Sequence, residues 1–422
     1  MPMSESFASR LLPRLTEIAA HFGTPFHIYD ERGIWEGGER LKSAFSGIDF
    51  NNLYAIKANP NPAVLALMTR LGFGFDCSSI PELLLARRAG APPERIMFTS
   101  NNTSQVEFEA AAAEGGSILN LDDISLVAKV PEPFPEQVCF RYNPGPRRML
   151  FSVIGEPVKA KYGVPHEQIL DSYRLAIKRG AKRFGLHTMV ISNERDYTCM
   201  VETVAMLLDV VRLISDELGI AFAFINMGGG LGIPYKPEQE PIALERLGEE
   251  VAGVYRKFQR EFGYAPQLLM ESGRWVTGAH GVLVASCINQ KNSYEQFRGL
   301  DASCTSTMMR PAMYYPSGGY HHISVPGRDH QDLEYVNVVG SVCEDADRFA
   351  WNRELPKFAE GDLVVIHDTG AHCYPMASNY NGRLRPKELM LHTDNSVELI
   401  RREETTDDLF ATIKFAPDIL TF

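Results

Sequence analysis

Along the first two-thirds of the chain, short apolar runs alternate with longer stretches whose apolar residues recur at helical spacing. The short runs predict strands over residues 53–57, 73–78, 95–99, 117–121, 137–142, 183–188, 222–227 and 267–271. Between them, Val64, Leu65, Leu67, Met68 and Leu71 share one helical face, and residues 201–218 and 242–262 extend the same periodicity. Eight strands separated by helical crossovers predict a parallel (β/α)8 barrel of the TIM type. An open doubly wound sheet is the competing arrangement, because periodicity does not decide closure.

Beyond residue 282 the rhythm changes, and strand-like runs follow one another directly over 282–289, 296–301, 335–342, 362–368, 388–392 and 396–401. Turn signals such as Glu360-Gly361-Asp362 and Asp394-Asn395 separate them. This is the pattern of an antiparallel β domain, as a sandwich or small barrel. A short amphipathic helix over 4–22 and a strand over 25–29 precede the barrel pattern, and the strand fits the same β domain. The chain therefore divides into an α/β barrel at 35–282 and a C-terminal antiparallel β domain at 283–422, which the N-terminal segment 1–34 joins.

Composition narrows the function classes. The 422 residues give room for a barrel and a second domain, and 45% hydrophobic with 23% charged residues is ordinary for a soluble globular protein. A formal net charge of -11 with no basic stretch argues against nucleic-acid binding. No apolar run is long enough to span a bilayer, and the opening residues lack a signal-peptide pattern, so a cytoplasmic protein away from membranes is expected. The seven cysteines, irregularly spaced and without a Cys-x-x-Cys pair, fit reduced thiols and not structural zinc. His321 and His322 lie next to each other in a strand-like run and would point to opposite faces, so they do not read as paired metal ligands.

Five motifs carry candidate chemistry. Lys57 ends the run Leu53-Tyr54-Ala55-Ile56-Lys57 before Ala58-Asn59-Pro60. A strand-end amine can be desolvated into a nucleophile, and it can equally snorkel to water. Gly228-Gly229-Gly230 ends a predicted strand and lets backbone N–H groups approach an anion. Ile233-Pro234-Tyr235-Lys236-Pro237 follows where a dinucleotide loop would need a helix, so that reading fails, while a structural turn stays open. Glu271-Ser272-Gly273-Arg274 stands at the C-terminal end of a predicted barrel strand, where active-site groups belong in that architecture. Cys343-Glu344 offers a possible proton donor, although buried structural cysteines are common. Arg310 and Tyr314, four residues apart, suit a distal carboxylate, and surface packing explains them as well.

Taken in order, these motifs resemble the alanine-racemase-fold (fold type III) pyridoxal-phosphate decarboxylases, most closely the diaminopimelate decarboxylases. The resemblance runs through Tyr54-Ala55-Ile56-Lys57-Ala58-Asn59, Phe75-Asp76-Cys77-Ser78-Ser79 and Arg141-Tyr142-Asn143-Pro144-Gly145. It continues in Asn226 to Gly232, Glu271 to Arg274, Met309-Arg310-Pro311-Ala312-Met313-Tyr314, Cys343-Glu344 and Asp368-Thr369-Gly370-Ala371. It implies pyridoxal 5'-phosphate as cofactor, with Lys57 as its Schiff-base lysine. Asp76, His187, Ser192, Gly228, Gly229, Gly230, Glu271, Gly273 and Arg274 would complete the cofactor site, Glu271 facing the pyridine nitrogen. It further implies a homodimer with shared active sites, in which Cys343 of one subunit protonates the carbanion after carbon dioxide leaves. Arg274, Arg310, Tyr314, Glu344 and His372 would bind the substrate.

Two positions depart from the family pattern. Met189 stands where a histidine usually stacks on the cofactor ring, and His372 where many relatives carry tyrosine. The expected activity is decarboxylation of meso-diaminopimelate to L-lysine. The alternatives are decarboxylation of a related carboxylated diamino acid, such as a citryl-diamine siderophore precursor, and a catalytically silent regulatory homologue.

Overall fold

Eight strands pair in chain order and close on themselves: β1 (Phe50–Ala55), β2 (Gly74–Cys77), β3 (Ile96–Ser100), β4 (Ile118–Leu121), β5 (Gln137–Asn143), β6 (Arg183–His187), β7 (Phe222–Asn226) and β8 (Gln267–Met270). Every neighbouring pair is parallel, and β8 returns to β1 through Met270 opposite Asn52, so the open-sheet alternative falls away. The computed structural model describes residues 3–148, 156–314, 319–328, 332–414 and 416. It contains two units, the barrel over Arg32–Pro234 and Glu238–Gly278, and a β unit holding the chain up to Glu31, Tyr235–Pro237 and everything from Ala279 onward. These divisions fall a few residues before 34/35 and 282/283, because a helix begins at Glu31 and a strand of the β unit at Gly281.

Inside the barrel, Leu53, Met97, Ile118, Cys139, Phe224 and Leu269 from six strands meet in one core. Gly185 on β6 makes this packing possible, since a Cβ there would sit 2.0 Å from the Phe224 ring. Outside, the helix Leu244–Phe262 buries Leu244, Leu247, Val251, Tyr255 and Phe258, the three-and-four spacing of one face. Each such burial contributes roughly 1.5–3 kcal/mol. The helix Tyr197–Leu218 is capped by the Asp196 side chain and stopped by Gly219 in the left-handed conformation.

In the β unit, the long strand Gly281–Asn292 alternates its faces. Val282 and Val284 enter one core with Phe7, Leu11, Leu15 and Ile18, while Leu283, Ala285 and Cys287 enter a second with Phe349 and Leu355. The early strand Phe26–Asp30 joins this unit, pairing antiparallel with Gly281–Asn292 and parallel with Lys387–Leu391. Gln296–Leu300 and Leu333–Val339 are also parallel, so the unit is mainly but not wholly antiparallel. Arg348–Pro356 adds a strand that the alternation did not reveal, because its charged Arg348, Arg353 and Glu354 interrupt the apolar pattern. The N-terminal amphipathic stretch is two helices, Glu5–Leu11 and Leu15–Phe22, broken at the turn containing Pro13. None of the seven cysteines is in a disulfide. No helix among the described residues is long and apolar enough to cross a membrane.

Candidate active site

The C-terminal ends of the barrel strands carry one connected set of charges. β1 loses its β2 partner after Ala55, which lies opposite Asp76, and the chain then tightens into the 3-10 turn Ile56–Ala58. Lys57 therefore sits on a turn just past the strand and not on the strand itself. Its Nζ donates to Asp76 Oδ2 at 3.2 Å, and its side chain is half exposed. Of the two arrangements open to a strand-end amine, the side chain reaches an acid and is partly exposed. The Asp76 charge dominates burial, and the Lys57 pKa lies above the ordinary lysine value. Gly273 packs onto this turn, where a Cβ would lie 2.6 Å from that of Ala58.

Glu271 follows β8 and is buried. Asn226, at the end of β7, donates Nδ2 to Glu271 Oε1 at 2.8 Å, and His187, at the end of β6, places Nε2 3.3 Å from the same oxygen. Burial alone would raise the Glu271 pKa, but His187 and then Lys57 and Arg141 outweigh it and hold the carboxyl down to about 2. Asp76 moves the other way, up from its ordinary value, under burial and the repulsion of Glu271. The pKa values of the two buried carboxylates thus move in opposite directions, down for Glu271 and up for Asp76.

The glycine run lies beside this pair. Asn226 Oδ1 accepts from Gly228 N–H at 2.9 Å, and Gly228 O accepts from Glu271 N–H at 2.8 Å. Gly228 and Gly230 have φ of +73° and +114°, and side chains there would strike the Thr188 and Ile191 carbonyls at 2.4 and 2.7 Å. The loop after β6 therefore runs against the glycines. It carries Ser192 between Ile191 and Asn193, whose backbone lies 2.6 Å from a Cβ built at Gly232. Met189 from the same loop accepts a hydrogen bond from Gly229 N–H through its sulfur at 3.2 Å. Arg274 opens the short helix Arg274–Thr277 immediately after Gly273.

The other candidates belong to the β unit. Buried Arg310 opens the short helix Arg310–Met313, with its guanidinium carbon 5.4 Å from the Tyr314 ring and 4.5 Å from that of Tyr235. Cys343 is exposed, its sulfur 3.7 Å from Asn381 Oδ1, and Glu344 accepts from Tyr380 O–H at 3.0 Å. His372 adopts a φ of +57° in the Asp368-to-Ala371 turn region. His321 and His322 precede the two-residue strand Ile323–Ser324 and go to different neighbours, Tyr235 and His367.

Sequence reasoning missed two contributors in the barrel. Asn226 joins Glu271 to the glycine run, and its place directly before Met227-Gly228 was the available signal. Arg141, opposite His187 in the β5–β6 register, donates to Asn101 at 3.0 Å and stacks 3.9 Å over the Tyr162 ring. The run Arg141-Tyr142-Asn143-Pro144-Gly145, through which the family resemblance passes, was the available signal.

The barrel set fits a flat aromatic aldehyde bearing a phosphate. It offers an amine beside an acid, a carboxylate fixed as an anion, and glycines where a Cβ would fill the cradle. Buried polar atoms without a partner, Asp76 Oδ1 and His187 Nδ1, remain for a ligand to satisfy.

Comparison with known proteins agrees. Residues 32–278 match the family model of the pyridoxal-dependent decarboxylases, in their pyridoxal binding domain. Protein TabA of Pseudomonas amygdali pv. tabaci is 43% identical over 99% of this chain and 97% of its own. The diaminopimelate decarboxylase of Methanothermobacter thermautotrophicus is 36% identical over 93% and 92%. The crystal structure of the M. jannaschii diaminopimelate decarboxylase with L-lysine superposes with a TM-score of 0.87 at 31% identity, covering 96% of this chain and 95% of that one. The chain belongs to the pyridoxal-dependent decarboxylases, and it is a pyridoxal-phosphate-dependent amino-acid decarboxylase of the fold-type-III group that contains the diaminopimelate decarboxylases.

Proposed function

We propose that this enzyme decarboxylates meso-diaminopimelate to L-lysine and carbon dioxide. The observation that carries the reading is the division of residue types between the two units. The barrel holds an amine, a fixed anion and a glycine cradle, whereas the β unit offers Arg310 for a distal carboxylate and Glu344 for a distal ammonium. A diamino dicarboxylic acid needs both of the latter; a simple diamine precursor has no distal carboxylate to engage Arg310.

Pyridoxal phosphate, when bound, supplies an electron-poor ring that accepts the electron pair left as the Cα–carboxylate bond breaks. In this reading Lys57 is the residue that holds it, Gly228 to Gly230 with Ser192 and Arg274 bind its phosphate, and Gly273 leaves room beside Lys57. Glu271, held as an anion throughout the neutral range, would keep the cofactor's pyridine nitrogen protonated. Asp76, 3.2 Å from Lys57 Nζ, would orient the amine beside the cofactor. His187 and Asn226 fix the Glu271 carboxylate. Cys343, contributed by a second copy of the chain, delivers the proton that replaces carbon dioxide, and Arg274, Arg310, Tyr314, Glu344 and His372 choose the substrate.

A related diamino acid with a different distal group is the second reading, favoured by Met189 on the glycine cradle and by the TabA likeness. Carbon dioxide release from a panel of diamino acids by cofactor-loaded protein separates the two. Meso-diaminopimelate should yield carbon dioxide and L-lysine in equal amounts. No release from it, with release from a citryl-diamine precursor, contradicts the first reading.

A further inference from the structure

Three cations of the β unit gather about one wall of rings. Arg353 lies 4.1 Å from the Tyr320 ring, and the Lys236 ammonium is 5.4 Å from the same ring. Tyr320 is followed directly by His321, whose ring meets that of Tyr235 edge-on at 5.0 Å. Arg310 lies 4.5 Å from Tyr235 and donates from Nε to His321 Nε2 at 3.2 Å. His321 in turn is fixed through Nδ1 to the His367 carbonyl at 2.8 Å. The scaffold is thus buried and hydrogen-bonded, while Lys236 is exposed and Arg353 half-buried.

Arg353 is the informative member. Among the described residues its guanidinium meets the Tyr320 face and the His321 carbonyl, and no carboxylate. Among the described residues, one backbone acceptor engages only part of its five donors. A partly buried arginine without an anion is costly, and burial does lower its pKa. Stacking on Tyr320 holds the guanidinium plane in place, which prepares its edge for a bidentate oxyanion.

We propose that Arg353 and Lys236, held about Tyr320 beside Arg310, form a second anion subsite that takes an additional carboxylate at the distal end of the substrate. This rests on Arg310 as the residue for the first distal carboxylate. Meso-diaminopimelate then fills the Arg310 part, and the subsite extends acceptance to amino acids whose far end carries a second carboxylate. Arg353 and Lys236 act as specificity residues and touch no reacting atom.

The test is binding of glutarate, with two carboxylates, and tricarballylate, with three, to the cofactor-loaded enzyme by calorimetry. Wild type should bind tricarballylate at least about tenfold tighter, the lower end of what a charge-assisted pair contributes. Lys236→Gln and Arg353→Ala should each cut that preference several-fold, and Arg353→Lys should restore part of it. Lys236 is exposed, so its variant gives an answer even if Arg353→Ala fails to fold. Equal affinities in wild type, or a preference unchanged by Lys236→Gln and Arg353→Ala, overturns the subsite. Arg310→Ala separates the premise: weaker binding of both ligands upholds the role of Arg310 whatever the subsite does. Unchanged binding of both refutes that role, while the tricarballylate preference still decides the subsite.

Discussion

The barrel end and the loops of the β unit solve different problems with the same residue types. Glu271 is buried and tied to Asn226 and His187, all three delivered by strand ends whose register is fixed by parallel pairing. Glu344 is exposed on a loop and accepts one tyrosine hydroxyl. A carboxylate in the first setting has its charge state set by its surroundings; in the second, water screens it and its value lies in where it stands. The reaction common to the family requires a fixed electrostatic environment, and the barrel supplies it. Choice among amino acids requires positions that can vary without disturbing the fold, and loops tolerate that.

This contrast can be broken by substitution. Lys57→Ala should have the largest effect, abolishing turnover and the absorbance of the lysine-bound cofactor; an unchanged spectrum would place the attachment elsewhere. Glu271→Gln should retain cofactor but lower kcat by roughly 10²–10³, the scale of losing one preorganised electrostatic contact. The same variant tests the acid stability. The folded carboxyl, at about 2, lies below its ordinary 4.5, so its stabilisation is complete above 4.5 and lost as pH falls through 2. Denaturation midpoints at pH 7 and pH 3 should therefore differ less in Glu271→Gln than in wild type. Asn226→Ala should be milder, about tenfold or more in cofactor affinity, because it only positions Glu271 and the glycine run. Gly185→Ala should leave the chemistry of the folded fraction intact and cost about 1–3 kcal/mol by overpacking against Phe224, read in urea melts.

Legibility in the sequence follows the same division. All eight barrel strands could be read within a residue or three of their ends, because buried parallel strands are continuous apolar runs. Closure could not be read, since it depends on β8 reaching β1 across more than two hundred residues. The Lys57 run stood out in the sequence, but the contact that sets the amine's charge did not. That contact is with Asp76, brought alongside only by the β1–β2 register. The strand Arg348–Pro356 and its Arg353 escaped because charged residues on a strand look like solvent-facing positions until the neighbouring elements are in place. Asn226 illustrates the general limit, since it lies in a quoted motif run but its contact with Glu271 appears only once β7 and β8 are paired.

The measurement closest to the central claim compares Glu271→Gln with Glu344→Gln in two readouts, cofactor dissociation constant and kcat/KM for meso-diaminopimelate. If the barrel supplies the electrostatic setting of the cofactor and Glu344 the choice of substrate, Glu344→Gln binds cofactor as wild type does. Its kcat/KM falls mainly through KM, while Glu271→Gln falls mainly through kcat. A Glu344→Gln enzyme with wild-type KM, or one that loses its cofactor, would contradict that division.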